Sequence, residues 1–301
     1  SKQEIKLIIY YWIRTLAVRD GWDCFLDIVV VNNVKFFFIN IIMTTIIVNL
    51  IQVNDNFDSN CYRGINENEQ ILSLYGHSNW VYCVKFPLFY KHMGRNVICS
   101  ASLDETIRFW DIEKKSQFDI LHGYKNGVFC IEFSPLEANQ YLFSGCGDNN
   151  IYLWDISLSN LVNIYRLHTR TVRCLDCEPL NVSNLGVIGG NGFSFCSGSY
   201  DNTIRVWDLN TCKPLLTINA HKNGITSVKY GSNKLETKGG SNLILSGSWD
   251  NNIHLHDVRY NKVVGSLYGH KCENIESGDY SNMICSGSYD NTIRFWDIRS
   301  C

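Results

Sequence analysis

Proline is scarce in this sequence, with four residues among 301, and neither sign of charge prevails. Because so few turns can be built on proline, the 22 glycines and the many asparagines predict turns of residues that tolerate a positive φ. The 27 basic and 29 acidic side chains give a net charge of −2. That balance excludes an overall basic field that would hold nucleic acid non-specifically, so no nucleic-acid partner is expected.

Motifs that hold phosphate groups are also missing. The chain has no GxxxxGK[ST] loop and no GxGxxG after a strand, so no cofactor is expected. Cys174 and Cys177 have the spacing of a metal-ligand pair, but a second pair is lacking. On a predicted strand, residues three apart point to opposite faces. We therefore interpret the two as packed thiols and expect no metal site.

The thirteen cysteines are an odd number and are scattered singly through apolar stretches such as VICSAS and SFCSGS. This distribution is typical of small buried side chains in a reducing compartment, and it does not suit the disulfide framework of a secreted domain. It predicts an intracellular protein, cytoplasmic or nuclear.

One long apolar tract, Phe36–Val53, approaches the length of a membrane-spanning helix. Asn40, Asn49 and Gln52, together with the many β-branched residues, weaken the membrane interpretation. The tract is a set of degenerate strands, a membrane tether, or sequence that is not native to the functional protein. The residues alone leave these alternatives open.

A repeated segment determines the predicted fold. Five stretches align in phase, and they read ICSASLDETIRFWDI, LFSGCGDNNIYLWDI, FCSGSYDNTIRVWDL, ILSGSWDNNIHLHDV and ICSGSYDNTIRFWDI. Their anchor positions are 110, 154, 207, 256 and 296, so the spacing is roughly 40 to 45 residues with insertions. Each unit contains four apolar runs separated by turn residues, which predicts a four-stranded antiparallel sheet. Such a unit cannot bury its own faces and must stack against its neighbours.

These segments resemble the WD-repeat family. The glycine–histidine half of its signature stands at Gly76–His77 and Gly269–His270, and the tryptophan–aspartate half ends four of the five copies. The resemblance implies an all-β propeller with five recognisable four-stranded blades, over residues 61–301, after an N-terminal segment of uncertain structure at 1–60. Pairing of Gln70–Tyr75 with the last blade would close a ring of five, whereas degenerate blades would make six or seven.

Each repeat also carries a histidine, a serine and an aspartate in order, which imitates a catalytic triad. A catalytic group is needed once, and this set recurs in nearly every copy, so we expect no enzyme activity. The resemblance implies a structural hydrogen-bond tetrad instead, which Tyr124 and His256 interrupt in two blades. The predicted tetrad residues are His77, Ser100, Asp104, Trp110, Ser144, Asp148, Trp154, His168, Ser197, Asp201, Trp207, His221, Ser246, Asp250, His270, Ser286, Asp290 and Trp296.

Function is then expected from the surface. The resemblance implies that partners bind the top face of the propeller, at the residues before each first strand and before each turn aspartate. Exposed aromatic side chains there are typical of binding hot spots, and arginines add a receptor for phosphate or carboxylate. The predicted partner-binding residues are Trp80, Arg170, Arg173, Tyr200, Trp249 and Tyr289.

Two functions follow from this interpretation. The first is a non-catalytic scaffold that binds protein or peptide partners within a multiprotein complex. The second is a substrate receptor of an SCF-type ubiquitin ligase, because SNCYRGINENEQILSLYGH is similar to the linker of F-box/WD proteins, and Glu4–Leu16 faintly resembles the start of an F-box. That alternative implies a Skp1-type adaptor as a partner. Tyr200 and Gly224 stand where a phosphodegron reader would carry its second arginine.

Overall fold

The computed structural model describes residues 72–135, 140–178, 194–209, 211–231, 243–269, 273–277, 283–288 and 292–297. These residues form nineteen strands and one short helix. The strands assemble into four four-stranded sheets and one three-stranded sheet, all antiparallel and all meandering in chain order. The predicted all-β class and the five-unit organisation are confirmed.

Each sheet is one blade of the propeller. Blade 1 contains β1 (Val81–Lys85), β2 (Val97–Ser102), β3 (Ile107–Asp111) and β4 (Ser116–Leu121), with helix α1 (Leu88–His92) between β1 and β2. Blade 2 contains β5 (Val128–Phe133), β6 (Tyr141–Cys146), β7 (Asn150–Asp155) and β8 (Asn160–Arg166). Blade 3 contains β9 (Val172–Cys177), β10 (Ser194–Ser199), β11 (Thr203–Asp208) and β12 (Pro214–Asn219). Blade 4 contains β13 (Ile225–Tyr230), β14 (Leu243–Ser248), β15 (Asn252–Asp257) and β16 (Lys262–Tyr268). The described part of blade 5 contains β17 (Glu273–Ser277), β18 (Met283–Ser288) and β19 (Ile293–Asp297).

Burial follows the position of each strand within its blade. The second strands of blades 1, 3 and 4 are buried at every residue, as their continuous runs of apolar and small side chains predict. The fourth strands are the most exposed: those of blades 1 and 3 alternate between exposed and covered side chains, and those of blades 2 and 4 begin with three exposed residues, which is typical of an outer edge. Neighbouring blades contact through their first strands, in the order β1, β5, β9, β13 and β17. The first strands therefore line the centre, and the fourth strands form the rim.

Hydrophobic clusters between successive blades hold the sheets together. Phe109 of blade 1 and Leu142 of blade 2 share one cluster, and Phe143 of blade 2 packs with Phe195 of blade 3. Further clusters join blade 3 to blade 4 and blade 4 to blade 5. Every described interface between neighbouring blades thus has an apolar core, as expected for units that cannot bury both faces alone.

Two ion pairs reinforce the centre of the propeller. Lys85 Nζ of β1 lies 2.7 Å from Glu132 Oε2 of β5, and Lys229 Nζ of β13 lies 3.1 Å from Asp176 Oδ1 of β9. All four side chains occupy the same position in their strands and are largely covered. The pairs link blade 1 to blade 2 and blade 3 to blade 4.

The turns confirm the expectation drawn from the scarcity of proline. Asn149, Asn202 and Asn251 connect the second and third strands with φ of 73°, 70° and 69°. The turn between the third and fourth strands also contains a residue of positive φ in blades 1 to 4, for example Ser159 at 49°. Asparagine tolerates this conformation at low cost, whereas proline cannot adopt it.

The predicted outer strand over Gln70–Tyr75 is wrong for its described residues, because Leu72–Trp80 contains no strand. The side chain of Leu74 is instead buried against Ile98 and Trp110 of blade 1. The segment covers an apolar face of that blade through side-chain packing, which replaces backbone pairing with blade 5. The described residues show no contact between β17 and β1 comparable to those between the other first strands.

The predictions for residues 1–60, including the tract Phe36–Val53, lie outside the described residues. Within the described ranges, no helix has the length and apolar character that a membrane span requires.

Gly198 on β10 shows how closely the blades approach one another. A Cβ atom at this position would lie 2.6 Å from both Cys174 Sγ and Ile225 Cγ2, the latter in blade 4. We predict that Gly198→Ala lowers the free energy of unfolding by about 1–3 kcal/mol through overpacking. Urea denaturation measures the change. The control Lys262→Ala, at an exposed position of β16, should stay within about 0.5 kcal/mol of the parent protein. Equal effects of the two substitutions would contradict the packing described.

Candidate functional site

The polar interior of blade 1 is a chain of hydrogen bonds around one serine. His77 Nε2 lies 2.7 Å from Ser100 Oγ, and the indole N–H of Trp110 donates to the same oxygen at 2.7 Å. The other ring nitrogen of His77 lies 2.8 Å from Asp104 Oδ2. Ser100 belongs to the buried second strand, and Asp104 belongs to the turn that follows it. These hydrogen bonds therefore connect the loop before the blade to the turn on its surface.

Blade 3 repeats this geometry. His168 lies 2.7 Å from Ser197 Oγ and 2.8 Å from Asp201 Oδ2, while Trp207 donates to Ser197 at 2.8 Å. The carboxylate also accepts the backbone N–H of Thr169 at 3.0 Å and of Thr203 at 3.0 Å. One aspartate thus fixes both the histidine loop and its own turn.

The protonation of these groups suits a structural role. Burial alone raises the pKa of Asp201, but the hydrogen bonds and the charge interaction with His168 more than offset it, so the pKa lies well below its usual range. Burial lowers the pKa of His168 from its ordinary value. The hydroxyl of Ser197 accepts a hydrogen bond from the indole N–H of Trp207 and has no exposed surface. A substrate carbonyl has no route to it, which separates this set from a nucleophilic triad.

At the two predicted interruptions, Tyr124 and His256, both residues keep the bond to the serine. The hydroxyl of Tyr124 lies 2.7 Å from Ser144 Oγ in blade 2. In blade 4, His256 Nε2 lies 3.0 Å from Ser246 Oγ, where other blades place the indole N–H. Each replacement presents a hydrogen-bonding atom at the distance that the serine requires.

Blade 2 differs in the remaining partners. The indole N–H of Trp154 is buried and makes no hydrogen bond within the described residues. Asp148 accepts a hydrogen bond of 2.5 Å from Tyr152, which takes the place of the absent histidine. In blade 5, Trp296 donates to Ser286 at 2.6 Å. His270, Asp290 and the predicted surface residue Tyr289 lie outside the described residues.

The cysteines of the predicted metal-spacing pair lie on β9, as expected. Cys174 Sγ is 3.7 Å from the carbonyl oxygen of Gly198, and burial raises the pKa of this thiol to about 12. Burial likewise raises the pKa of Cys177 well above its ordinary value. Both are protonated, packed thiols at neutral pH, and they do not belong to a metal-ligand cluster within the described residues.

On the surface, three of the predicted partner-binding residues line one cleft. Arg170, Tyr200 and Trp249 surround an open volume of 260 Å³ between blades 3 and 4. The rings of Tyr200 and Trp249 lie 4.5 Å apart at an angle of 30°, and Trp249 remains 40% exposed. The cleft thus offers an aromatic wall beside an exposed guanidinium group. The other lining residues are Asn149, Thr169, Thr171, Asn223 and Gly224.

Backbone contacts hold this cleft in shape. The N–H of Trp249 donates to the carbonyl oxygen of Gly224 at 3.0 Å, and that of Tyr200 donates to Thr171 at 3.0 Å. A Cβ atom at Gly224 would lie 2.8 Å from the ring of Tyr200, so glycine is what permits the ring to rest there. Asn149, at the rim, donates to the carbonyl oxygen of Thr169 at 3.2 Å.

Two more of the predicted residues, Trp80 and Arg173, belong to a second surface, which blades 1, 2 and 3 form together. Arg173 points away from the cleft, with its guanidinium carbon 5.0 Å from the ring centroid of Tyr82 and 5.4 Å from that of Phe129. Trp80 is 70% exposed and meets Tyr82 edge to face at 6.4 Å. The two arginines expected in one sector therefore serve two surfaces.

The residues that sequence reasoning missed share simple positions in the repeat. Tyr82 and Phe129 are each the second residue of a first strand, as the predicted Arg173 is, so a comparison of that column would have grouped them. Asn149 follows a turn aspartate, and Asn223 precedes Gly224 before β13. These two asparagine side chains are short and polar, whereas hot-spot residues are expected to be aromatic residues or arginines.

The family model described as "WD domain, G-beta repeat" matches residues 68–111, 115–155, 159–208, 212–257 and 261–297, which is more than half of the chain. The chain belongs to the WD-repeat family. The five matches correspond to the five blades but are offset by one strand, because each match ends with a third strand and the next match begins before the fourth strand of the same blade. WD-repeat domains are generally non-catalytic interaction folds, in agreement with the buried serines.

Several WD-repeat relatives are similar to the chain. Mitochondrial division protein 1 of Kluyveromyces lactis is 28% identical over 209 residues, covering 64% of this chain and 28% of that protein. The ribosome biogenesis protein WDR12 homolog of Nematostella vectensis is 32% identical over 189 residues, covering 62% and 39%. Cell division control protein 4 of Saccharomyces cerevisiae is 26% identical over 207 residues, covering 65% and 25%. The chain spans well under half the length of these relatives.

Blades 1 and 2 provide a matched test of the hydrogen bond to the buried serine. Trp110→Phe removes a donor to Ser100, whereas Trp154→Phe removes an N–H that makes no bond. Both substitutions leave a similar cavity, so we predict that Trp110→Phe costs about 1 kcal/mol more unfolding free energy. Urea denaturation of the two variants measures the difference. If Trp154→Phe costs as much or more, the bond to Ser100 contributes nothing.

Proposed function

We propose that this WD-repeat chain is a non-catalytic interaction module that binds a protein or peptide partner in the cleft of Arg170, Tyr200 and Trp249. The observation that carries the proposal is the exposed aromatic pair beside the arginine. Tryptophan, tyrosine and arginine are the residue types that dominate binding hot spots, because they combine a large apolar area with hydrogen-bond donors.

The shape of the cleft favours an extended segment with two features. An apolar side chain can pack against the ring of Trp249, which is 40% exposed. A carboxylate or phosphate group can accept hydrogen bonds from Arg170. The backbone bonds that hold the two aromatic residues limit the conformational entropy lost on binding, so a rigid cleft gains affinity.

The proposal includes an intracellular site of action, in the cytoplasm or the nucleus. Eight cysteines of the described residues are free thiols, and five of them are buried. Unpaired thiols of this number suit a reducing compartment. The partner would then be a member of an intracellular multiprotein complex.

The alternative function is a ubiquitin-ligase substrate receptor that binds a Skp1-type adaptor. It rests on Glu4–Leu16, on the linker before the first repeat and on the position of Arg173. The N-terminal residues lie outside the described part of the chain. Arg173, the candidate phosphate receptor of that alternative, stacks on Tyr82 and Phe129. Neither observation favours the receptor, so the interaction module is the function we propose.

A peptide-display selection on the immobilised chain tests the proposal. We predict that selected peptides bind Trp249→Ala and Arg170→Ala at least about tenfold more weakly than the parent protein, as expected for hot-spot residues. Fluorescence anisotropy measures the affinities, and thermal melting should show little change.

Tyr260→Ala is the matched control. Tyr260 is also a large exposed aromatic residue, at 67%, but it lies at the opposite end of β15 from Trp249. Its removal should leave peptide affinity unchanged. If all three variants bind the peptides with equal affinity, the peptides are recognised elsewhere on the surface. If Trp249→Ala keeps its affinity but melts at a much lower temperature, Trp249 is a packing residue.

A further inference from the structure

Blade 4 carries histidines where the other blades do not. The third strands of blades 1, 3 and 5 have arginine two residues before the tryptophan position, at Arg108, Arg205 and Arg294. Blade 4 has His254 there, and His256 replaces the tryptophan itself. Together with His221, this blade therefore has three imidazoles close together, with ring centroids between 4.5 and 6.4 Å apart.

In other blades this column interacts with the turn carboxylate. Arg108 Nη2 lies 3.7 Å from Asp104 Oδ2, and the hydroxyl of Tyr152 donates to Asp148 at 2.5 Å. In blade 4 no hydrogen bond joins His254 to Asp250 within the described residues. Where blade 1 has the permanently charged guanidinium group of Arg108 beside the carboxylate, blade 4 has the imidazole of His254. The nitrogen lone pair of an imidazole can coordinate a metal ion.

The ligand atoms are already gathered. One atom each of His221, Asp250 and His254 lies within 4.8 Å of the other two. His221 Nδ1 and Asp250 Oδ2 are 2.9 Å apart, a separation that two ligands of one metal ion can adopt. His221, Asp250 and His254 form the only such group of three among the described residues.

The surrounding hydrogen bonds orient both imidazoles. His221 Nε2 is bonded to Ser246 Oγ at 2.8 Å, which leaves Nδ1 toward Asp250. His254 Nδ1 is bonded to Ser266 Oγ at 2.8 Å, which leaves Nε2 as its ligand atom. Metal-binding histidines characteristically hold their second nitrogen in such a bond, because it fixes the tautomer and the ring orientation.

We propose that His221, Asp250 and His254 bind a divalent transition-metal ion of the Zn²⁺ class. Two imidazole nitrogens and one carboxylate oxygen are borderline ligands that suit Zn²⁺, and they leave a fourth tetrahedral position for water. Coordination through Nδ1 uses the neutral tautomer of His221 with its proton on Nε2, so the ring proton moves from Nδ1 to Nε2, where Ser246 Oγ accepts it, and no proton is released. His256 is not among the residues whose ligand atoms gather within 4.8 Å of one another, so it stays outside the coordination shell.

The ionisation of the site agrees with this geometry. Burial is the main cause that lowers the pKa of His221 to about 4, and burial also lowers the pKa of His254. Both rings are therefore neutral at pH 7, which is the form that coordinates a metal ion. His254 is only partly buried, so the site has a route to solvent.

Titration of the metal-free full chain with Co²⁺, followed by competition with Zn²⁺, tests the proposal. We expect one equivalent to bind, with the visible absorption of a nitrogen- and oxygen-ligated ion and without a thiolate charge-transfer band. The matched variant His254→Arg restores the residue of blades 1 and 3, so it should keep the fold and weaken metal binding by at least about 100-fold. Ser266→Ala should weaken it by about 10- to 100-fold while leaving every ligand in place.

Blades 1 and 3 are internal controls, because each has the same histidine, serine and aspartate but keeps its arginine. Failure of the parent chain to bind either ion would overturn the proposal. So would a thiolate spectrum, more than one equivalent, or unchanged binding by His254→Arg. If His254→Arg does not fold, His254→Gln carries the same test, and its unchanged binding would overturn the proposal equally.

Discussion

The structure depends on one buried hydroxyl in each blade. In blades 1 and 3 the serine of the second strand accepts a hydrogen bond from the tryptophan of the third strand and contacts the histidine of the preceding loop. Without the hydroxyl, a buried indole N–H and a buried ring nitrogen would both lose their partners, and unsatisfied buried groups are costly. The serine therefore couples two strands and a loop that are distant in the chain.

This interior network also determines the binding surface. Asp201 and Asp250, which the histidines hold, directly follow Tyr200 and Trp249 in the chain. A turn whose aspartate is fixed from below presents its aromatic residue in a defined place, and the backbone bonds to Thr171 and Gly224 fix it from the side. The cleft is therefore organised before a partner arrives. Variation in that network, as in blade 4, also changes the chemistry of the blade without changing its fold.

Much of the fold could be predicted from the sequence because the same pattern of residues occurs five times in phase. The strands, the positive-φ turns and the buried serines all follow from residues in phase, and local pattern agrees with tertiary packing. The expected strand over Gln70–Tyr75 failed in its described residues because nothing local distinguishes a paired strand from a segment that packs through Leu74. Whether the segment pairs as a strand or packs through its side chains depends on which neighbour covers blade 1.

The site was predictable only in part. Tyr200 and Trp249 could be assigned from their columns, but the position of Arg173 depends on the rings of Tyr82 and Phe129 in two other blades. Tyr124 and His256 broke the pattern of residue types while keeping the hydrogen bond to the serine, because the serine requires a partner atom and not a particular side chain. The histidine cluster of blade 4 departs from the repeat at two columns, and only the three-dimensional arrangement shows that these residues meet at one carboxylate.

The central claim is that the serine, the histidine and the aspartate of a blade act as one unit. A double-mutant cycle in blade 3 tests it most directly, with Ser197→Ala, Asp201→Asn and the double variant. The side chains of Ser197 and Asp201 are linked only through His168, which lies within hydrogen-bond distance of both. We predict a coupling free energy of about 0.5–2 kcal/mol, since residues that share a partner are not additive. Additive losses within about 0.3 kcal/mol would contradict the account.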